Sequence, residues 1–180
     1  MTPKKSEAKI AVFDASPFIF LARVGVLREA VRLFKESVVA DSVREEVLES
    51  GRRIGTPETK EIEALLLEGG LTSLAAPKTP LGESLADNPR LSKADCDSIA
   101  LASTRAARLL ADDAAVRTAA KHAGVSLGGT LYVLFALVDE RSLSPDQAVA
   151  HLDRLVDLGW YCSARLYRAA RDMLEERARG

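Results

Sequence analysis

Acidic residues follow two short apolar runs of the sequence, and their positions suggest metal chemistry. Asp14 comes directly after the run 10–13, and Asp112 and Asp113 come directly after the run 108–111. A carboxylate at the end of a buried segment is costly to desolvate unless it has a partner. A divalent cation is a natural partner for several such groups. The alternative is structural, because Asp is also common in turns and as a helix cap.

Two further acids stand on predicted helices and are candidates to complete such a site. Glu46 lies in the helix after the second predicted strand, and Asp95 lies in the first turn of a later helix. Each has a plainer interpretation. Ser42 and Glu45 have the spacing of a capping box, in which case Glu46 is only a solvated charge. Ser92 and Asp95 have the same spacing, in which case Asp95 is a capping residue.

Short apolar runs alternate with longer helical periodicities, which is typical of an α/β fold with a parallel sheet. The predicted strands are 10–13, 38–40, 71–75, 108–111 and 125–127. Asp41 or Ser42 is predicted to cap the helix after the second strand, and the Pro- and Gly-containing stretch 76–90 is predicted to be a loop. Ligands of open parallel sheets bind at the carboxyl ends of strands. The acids that end the first and fourth strands therefore converge if those strands are neighbours.

The chain length and composition indicate one globular core with appended segments. The chain has 180 residues, 47% of them hydrophobic, which is enough for one domain with a core. We predict a polar tail at 1–9, a core at 10–143, and C-terminal helices at 144–180. The motif Ser144-Pro145-Asp146-Gln147 starts those helices, which pack on the core or on a second copy.

Charge and cysteine usage narrow the function classes. The net charge is −1, so the chain as a whole would not attract a nucleic acid, and any such binding must come from local Arg and Lys. Cys96 and Cys162 have no CxxC or His partner, which argues against zinc and a disulfide framework. The sequence shows neither a signal peptide nor an apolar run near the ~20 residues of a membrane span, so we expect a cytoplasmic protein that does not enter a membrane.

Four segments, in this order, resemble the motifs of PIN domains. They are Val12-Phe13-Asp14-Ala15-Ser16-Pro17, Ser42-Val43-Arg44-Glu45-Glu46-Val47, Leu91-Ser92-Lys93-Ala94-Asp95 and Leu109-Leu110-Ala111-Asp112-Asp113. Gly129-Thr130 before an apolar helix is similar to a subgroup of uncharacterised prokaryotic PIN proteins. The resemblance covers residues 10–160, and its specificity comes from the order of the motifs.

The resemblance implies a three-layer α/β/α sandwich on a parallel sheet, with an acidic pocket and C-terminal helices. It also implies a Mg²⁺- or Mn²⁺-dependent ribonuclease, a class that includes VapC-like toxins and RNA-processing enzymes. The partners would then be RNA, a second copy in a homodimer and, for a toxin, an antitoxin protein. By motif position, Asp14 is the first acid, Glu46 the second, Asp95 the third, and Asp112 or Asp113 the last; Ser16 corresponds to a hydroxyl beside the metal.

Two assignments stay open at this point. Asp97 competes with Asp95, and the two lie about 200° apart around a helix, so both cannot face one metal equally well. We favour Asp95 from the Leu-Ser-x-x-Asp spacing. Ala111 stands where a Thr or Ser commonly precedes the last acids, and the choice between Asp112 and Asp113 is undecided.

Cationic and aromatic residues give candidates for substrate contact. Arg117 lies one helical turn after Asp113, where it flanks the pocket and binds substrate or pairs with Asp113. Arg165, Arg168 and Arg171 form either a basic stripe or a solvated face. For three aromatic residues, packing in the core or in an interface is favoured over stacking on bases; they are Trp160, Tyr161 and Tyr167. The two histidines, His122 and His151, are expected to be ordinary surface residues.

Other function classes fit the sequence less well. A haloacid-dehalogenase-type phosphatase needs a second acid two residues after the first, where this chain has Ser16. A receiver domain needs an acid pair at the first strand and a late-strand Lys that we cannot place, and no P-loop motif is present. The main alternative to a ribonuclease is a non-catalytic PIN fold that binds RNA or protein as a regulatory module.

Overall fold

Five short strands form the centre of the molecule. The computed structural model describes residues 10–179, so the predicted polar tail 1–9 lies outside the described residues. The strands are β1 (Ile10–Phe13), β2 (Glu36–Ala40), β3 (Thr72–Leu74), β4 (Arg108–Leu110) and β5 (Ser126–Gly128). All five overlap the strands predicted from the apolar runs.

Helices connect and cover these strands. They are α1 (Ala15–Arg23), α2 (Leu27–Arg32), α3 (Asp41–Ile54), α4 (Pro57–Leu67), α5 (Pro80–Ala86), α6 (Lys93–Thr104), α7 (Ala114–His122), α8 (Thr130–Asp139), α9 (Pro145–Asp157) and α10 (Ala164–Arg179). Within residues 10–179, none of the helices combines the length and the apolar character that a membrane crossing requires.

The sheet is entirely parallel, with strand order β3-β2-β1-β4-β5. Phe13, the last residue of β1, pairs with Val39 on one side and with Leu110 on the other. The carboxyl ends of β1 and β4 therefore lie side by side. This confirms the predicted parallel sheet and the α/β/α sandwich, and it makes the strands that precede Asp14 and Asp112 neighbours.

The central strand is buried on both faces, as its apolar composition predicts. Ala11, Val12 and Phe13 have no exposed surface. The Phe13 ring packs against Phe18 and Phe34, with centroids 6.3 Å away in both cases. Because β1 is surrounded in this way, the residue that follows it starts in the interior of the molecule.

The segment predicted to be a loop, 76–90, contains helix α5, so that prediction is wrong in part. Thr79 caps the helix by accepting a hydrogen bond from the Gly82 amide at 3.0 Å, and Pro80 occupies the first helical position. Proline lacks only an amide hydrogen that would be unpaired there in any case. The Thr-Pro pair thus starts a helix.

The predicted cap of α3 is also wrong. The N-cap residue is Ala40, without a side-chain bond, and α3 begins at Asp41. The Ser42 hydroxyl donates to Asp97 Oδ2 at 2.6 Å, and Ser73 donates to Asp41 Oδ1 at 2.5 Å. Both side chains are used in contacts with other elements, so local spacing alone did not predict their partners.

The C-terminal helices contact the rest of the chain at defined points. Ser144 and Gln147 form the predicted capping box of α9. Leu152 on α9 and Leu174 on α10 are fully buried. Arg177 Nε donates to Asp139 Oδ1 at the end of α8, at 3.0 Å.

Candidate functional site

Asp14 is a buried carboxylate at the carboxyl end of the central strand. It follows β1 directly, its side chain belongs to a residue only 3% exposed, and its amide donates to the Leu110 carbonyl oxygen at 3.0 Å. The Ser98 hydroxyl on α6 donates to Asp14 Oδ1 at 3.2 Å. The carboxylate is therefore held at the junction of β1, β4 and α6.

The surroundings of Asp14 oppose its ionisation. The pKa of Asp14 is raised from the usual 3.8 to about 7, mainly by burial and in addition by the charges of Asp95 and Glu46. Hydrogen bonds from the Ala15 amide and the Ser98 hydroxyl lower the pKa but do not compensate. A buried acid next to two like charges is an arrangement that a cation would stabilise.

Asp95 reaches this site from the first turn of α6. It forms the capping box with Ser92: its Oδ2 accepts from the Ser92 amide at 2.7 Å, and its amide donates to Ser92 Oγ at 3.1 Å. The capping interpretation from the sequence is therefore confirmed. It does not exclude a role in the site, because the Asp95 charge also acts on Asp14.

Asp97 is directed into a different set of contacts. Its Oδ2 accepts from Lys93 Nζ at 2.5 Å and from Ser42 Oγ at 2.6 Å, which ties α6 to α3. Its charge is thus balanced by an ammonium group and a hydroxyl, whereas the half-buried Asp95 acts on Asp14. The assignment of Asp95 to the site stays a prediction.

Glu46 lies in the second turn of α3 with an exposed side chain. Its charge contributes to the raised Asp14 pKa, although less than that of Asp95. Acids from α3 and α6 therefore act on the acid at the end of β1. Three distant segments of the sequence contribute to one electrostatic environment.

The two acids after β4 have distinct surroundings. Asp112 Oδ1 accepts from the Thr130 amide at 2.9 Å, and its Oδ2 accepts from Thr130 Oγ1 at 2.6 Å and from Trp160 Nε1 at 2.9 Å. Asp113 is exposed and caps α7, with Oδ1 accepting from the amides of Ala115 and Val116 at 2.7 and 3.0 Å. Asp112 faces the start of α8, whereas Asp113 lies at the surface.

The Arg117 side chain donates hydrogen bonds to backbone carbonyl groups. Its Nη1 donates to the carbonyl oxygens of Ala111 and Gly128, at 2.7 and 2.6 Å. This nitrogen therefore joins the ends of β4 and β5. Contact between substrate and the other nitrogens of the Arg117 guanidinium stays a prediction. Ser16 lies half-buried in the first turn of α1, and its place beside a metal also stays a prediction.

The candidate C-terminal residues separate into paired and exposed ones. Arg171 pairs with Asp153 and Glu175, and Tyr167 donates to Asp153 Oδ1 at 2.6 Å, so both serve the contact between α9 and α10. Arg165 and Arg168 are exposed. Tyr161 is 91% exposed, so it does not pack in the core, and packing in an interface stays a prediction for it. His122 is exposed, whereas His151 is half-buried and has its pKa lowered by burial and by Arg154.

Sequence reasoning missed three residues that contact the acids. Ser98, fully buried, bonds to Asp14, and Thr130 and Trp160 bond to Asp112. A signal existed for Ser98, which lies three residues after Asp95 and so on the same side of α6. Trp160 lies 48 residues after Asp112, and no local pattern links the two.

The donor set fits a hard divalent cation in its chemistry. The acids offer only carboxylate oxygens, which suit Mg²⁺ or Mn²⁺ better than zinc. Burial is the main cause of the raised Asp14 pKa, and the negative charges of Asp95 and Glu46 add to it. Among residues 10–179, no three His, Cys, Asp or Glu side chains converge closely enough to form a complete metal-binding group.

Comparison with known proteins identifies the family. A family model described as a PIN domain matches residues 10–176, which is nearly all of the described chain. No curated protein and no solved structure gives a significant match.

Proposed function

The chain belongs to the PIN-domain family, and from this premise we propose that it is a metal-dependent ribonuclease that hydrolyses RNA phosphodiester bonds. PIN domains are generally nucleases that act on nucleic acids. RNA as the substrate, Mg²⁺ or Mn²⁺ as the cofactor and hydrolysis as the reaction are our proposal. A toxin paired with an antitoxin is one setting in which such an enzyme would act.

The observation that carries the proposal is the environment of Asp14. The carboxylate is buried at the end of the central strand, and this burial, together with the charges of acids on α6 and α3, raises its pKa to about 7. A purely structural Asp would be expected to have a cationic partner or enough hydrogen bonds to offset its burial. Repulsion among these acids supports a site adapted to a cation.

We assign the metal to Asp14 and Asp95, with Glu46 and one of Asp112 and Asp113 completing the ligands. A bound Mg²⁺ or Mn²⁺ would polarise the phosphodiester and lower the pKa of a water molecule. Ser98 keeps the Asp14 carboxylate in place through its hydrogen bond to Oδ1. The Ser92 cap does the same for Asp95, so two ligands are oriented before a cation arrives.

A non-catalytic binding module is the second candidate. It is favoured by the lack of a converged three-acid group within the described residues and by the three hydrogen bonds that Asp112 already accepts. Such a module would bind RNA or protein without cutting it.

Cleavage of single-stranded RNA in Mn²⁺ separates the two candidates. We expect the wild type to cut and Asp14→Asn to lose at least about 100-fold in rate, since the first acid would no longer hold the cation. Asp97→Asn, which changes an acid on the same helix as Asp95 but outside the site, is the matched control and should retain cleavage. Intact RNA with the wild type and with both variants would support the binding module instead.

A further inference from the structure

Asp112 is held by more hydrogen bonds than the other acids of the candidate site. Its Oδ1 accepts from the Thr130 amide, and its Oδ2 accepts from Thr130 Oγ1 and Trp160 Nε1, over 2.6–2.9 Å. A carboxylate oxygen has two lone pairs, so Oδ2 is fully used. One lone pair, on Oδ1, is left for any other partner.

Both donors are in the interior, where loss of their acceptor would be costly. Thr130 has no exposed surface, and Trp160 is 5% exposed. A buried indole N–H that loses its acceptor is left unpaired. The chain before Trp160 is held as well, because the Trp160 amide donates to the Leu155 carbonyl oxygen at 2.9 Å and Gly159 turns the backbone with φ +88°. Trp160 is thereby joined to the end of α9.

The start of α8 fits against Asp112 without spare room. A Cβ atom at Gly129 would lie 2.6 Å from Asp112 Oδ1 and 3.1 Å from the Ala111 carbonyl oxygen. The Gly129 backbone is extended, so the requirement for glycine is one of space. Close approach of α8 brings the Thr130 amide onto the carboxylate.

Asp113 differs from its neighbour in both exposure and bonding. It is exposed, and both of its capping bonds use the same oxygen, Oδ1. Its position in space is set by Asp112, to which it is joined by one peptide bond. Any group that fixes Asp112 also fixes where Asp113 stands at the end of β4.

We propose that Asp112 is a positioning residue and not a metal ligand: with Thr130 and Trp160 it fixes the turn after β4, so that Asp113 is the last acid of the active site. The segment between α9 and α10 thereby becomes part of the support of that site. This inference rests on the proposed nuclease function, and it decides between the two acids that the sequence left open.

The contact itself is tested without metal or RNA. Trp160 is the single tryptophan of the chain, so the tryptophan fluorescence reports only on the surroundings of Trp160. Because a nearby charge shifts the energy of indole emission, Asp112→Asn should shift the emission maximum of the folded protein. Tyr167→Phe, which removes another aromatic-to-Asp hydrogen bond of the C-terminal helices, should not. An unchanged spectrum in Asp112→Asn would contradict the contact.

The positioning role is tested by Mn²⁺ affinity, measured by calorimetry, together with RNA cleavage. Removing a group that orients a metal site lowers affinity or activity by about 10- to 100-fold. We expect a reduction of this size in Trp160→Phe but not in Tyr167→Phe. Denaturant unfolding without metal shows whether the two variants are comparably folded. Thr130→Val removes only the hydroxyl donor and keeps the shape, so it provides the same test, with a several-fold loss, if Trp160→Phe does not fold.

Two further variants assign the ligand. Asp113→Asn removes the proposed carboxylate ligand, so it should lower the affinity for Mn²⁺. Because Asn is also a good cap residue, the stability of the metal-free protein should be unchanged. Asp112→Asn should lower that stability. Undiminished Mn²⁺ binding and cleavage in Trp160→Phe and Thr130→Val, or in Asp113→Asn, would overturn the inference while leaving the nuclease function standing. A wild type that neither binds Mn²⁺ nor cuts RNA would overturn the function itself.

Discussion

At the scale of single residues, the account depends on a carboxylate that the fold keeps in an unfavourable place. Asp14 follows a strand with no exposed surface, so its burial comes from the apolar run before it. The acids on α3 and α6 then add like charge. This cost to the metal-free protein is the physical signature expected of a cation site.

The stability of the metal-free protein should therefore depend on pH through Asp14. The unfolded chain ionises this group near pH 3.8, while the folded protein keeps the proton until about pH 7. The free energy of unfolding should fall as the pH rises from about 4 to about 7 and level off above, by an amount on the order of 4 kcal/mol at about 1.4 kcal/mol per pH unit.

Denaturant unfolding between pH 4 and pH 9 measures this dependence, taken as the difference between the wild type and Asp14→Asn. Ser98→Ala removes a hydrogen bond that lowers the Asp14 pKa, so it should move the levelling-off to higher pH. Identical pH dependence in the wild type and Asp14→Asn would show that Asp14 does not titrate in this range.

The positions of the candidate acids in the fold were predictable from the sequence because each follows a strand or begins a helix, where short patterns carry information. Asp14, Asp95 and Asp113 lie at such positions. The residues that hydrogen-bond to these acids were harder to predict. Trp160 lies between α9 and α10, 48 residues after Asp112, so its contact with Asp112 depends on packing between distant segments.

At the scale of elements, strand positions and the parallel α/β pattern followed from runs of apolar residues, whereas the order of the strands in the sheet was left open by the sequence. The predictions from sequence were wrong where a polar side chain bonds to a distant element instead of capping its own helix, and where a helix is too short to show a clear periodicity. Ser42, which has the spacing of a cap, bonds to Asp97 on another helix. Helix α5 is seven residues long, too short for an apolar repeat to identify.

The fit of α8 against β4 predicts a sharp contrast between two glycines. Gly129→Ala would force a methyl group to within 2.6 Å of Asp112 Oδ1, and overpacking of this kind costs about 1–3 kcal/mol. Gly82→Ala, inside α5, meets its nearest atom at 3.4 Å and should be neutral or slightly stabilising, since Ala favours the helix. Denaturant unfolding of both variants measures the difference; equal stabilities would mean that α8 does not lie this close.

At the scale of the whole molecule, the C-terminal helices combine support for the site with an exposed surface. Arg171 is used in ion pairs with Asp153 and Glu175, so Arg165 and Arg168 are what is left of the three arginines that the sequence offered as either a basic stripe or a solvated face. Large apolar side chains are exposed in the same region, among them Tyr161 and Met173. A homodimer stays a prediction, and this surface is where we would look for its interface.

The central claim is that acids from β1, α3, α6 and the end of β4 bind one hard cation. An anomalous difference map from crystals soaked in Mn²⁺ tests it most directly. We predict a peak at about 2–2.5 Å from carboxylate oxygens of Asp14 and Asp95, which disappears in crystals of Asp14→Asn. A map without a peak beside Asp14, or with Mn²⁺ bound only at acids elsewhere on the surface, would contradict the account.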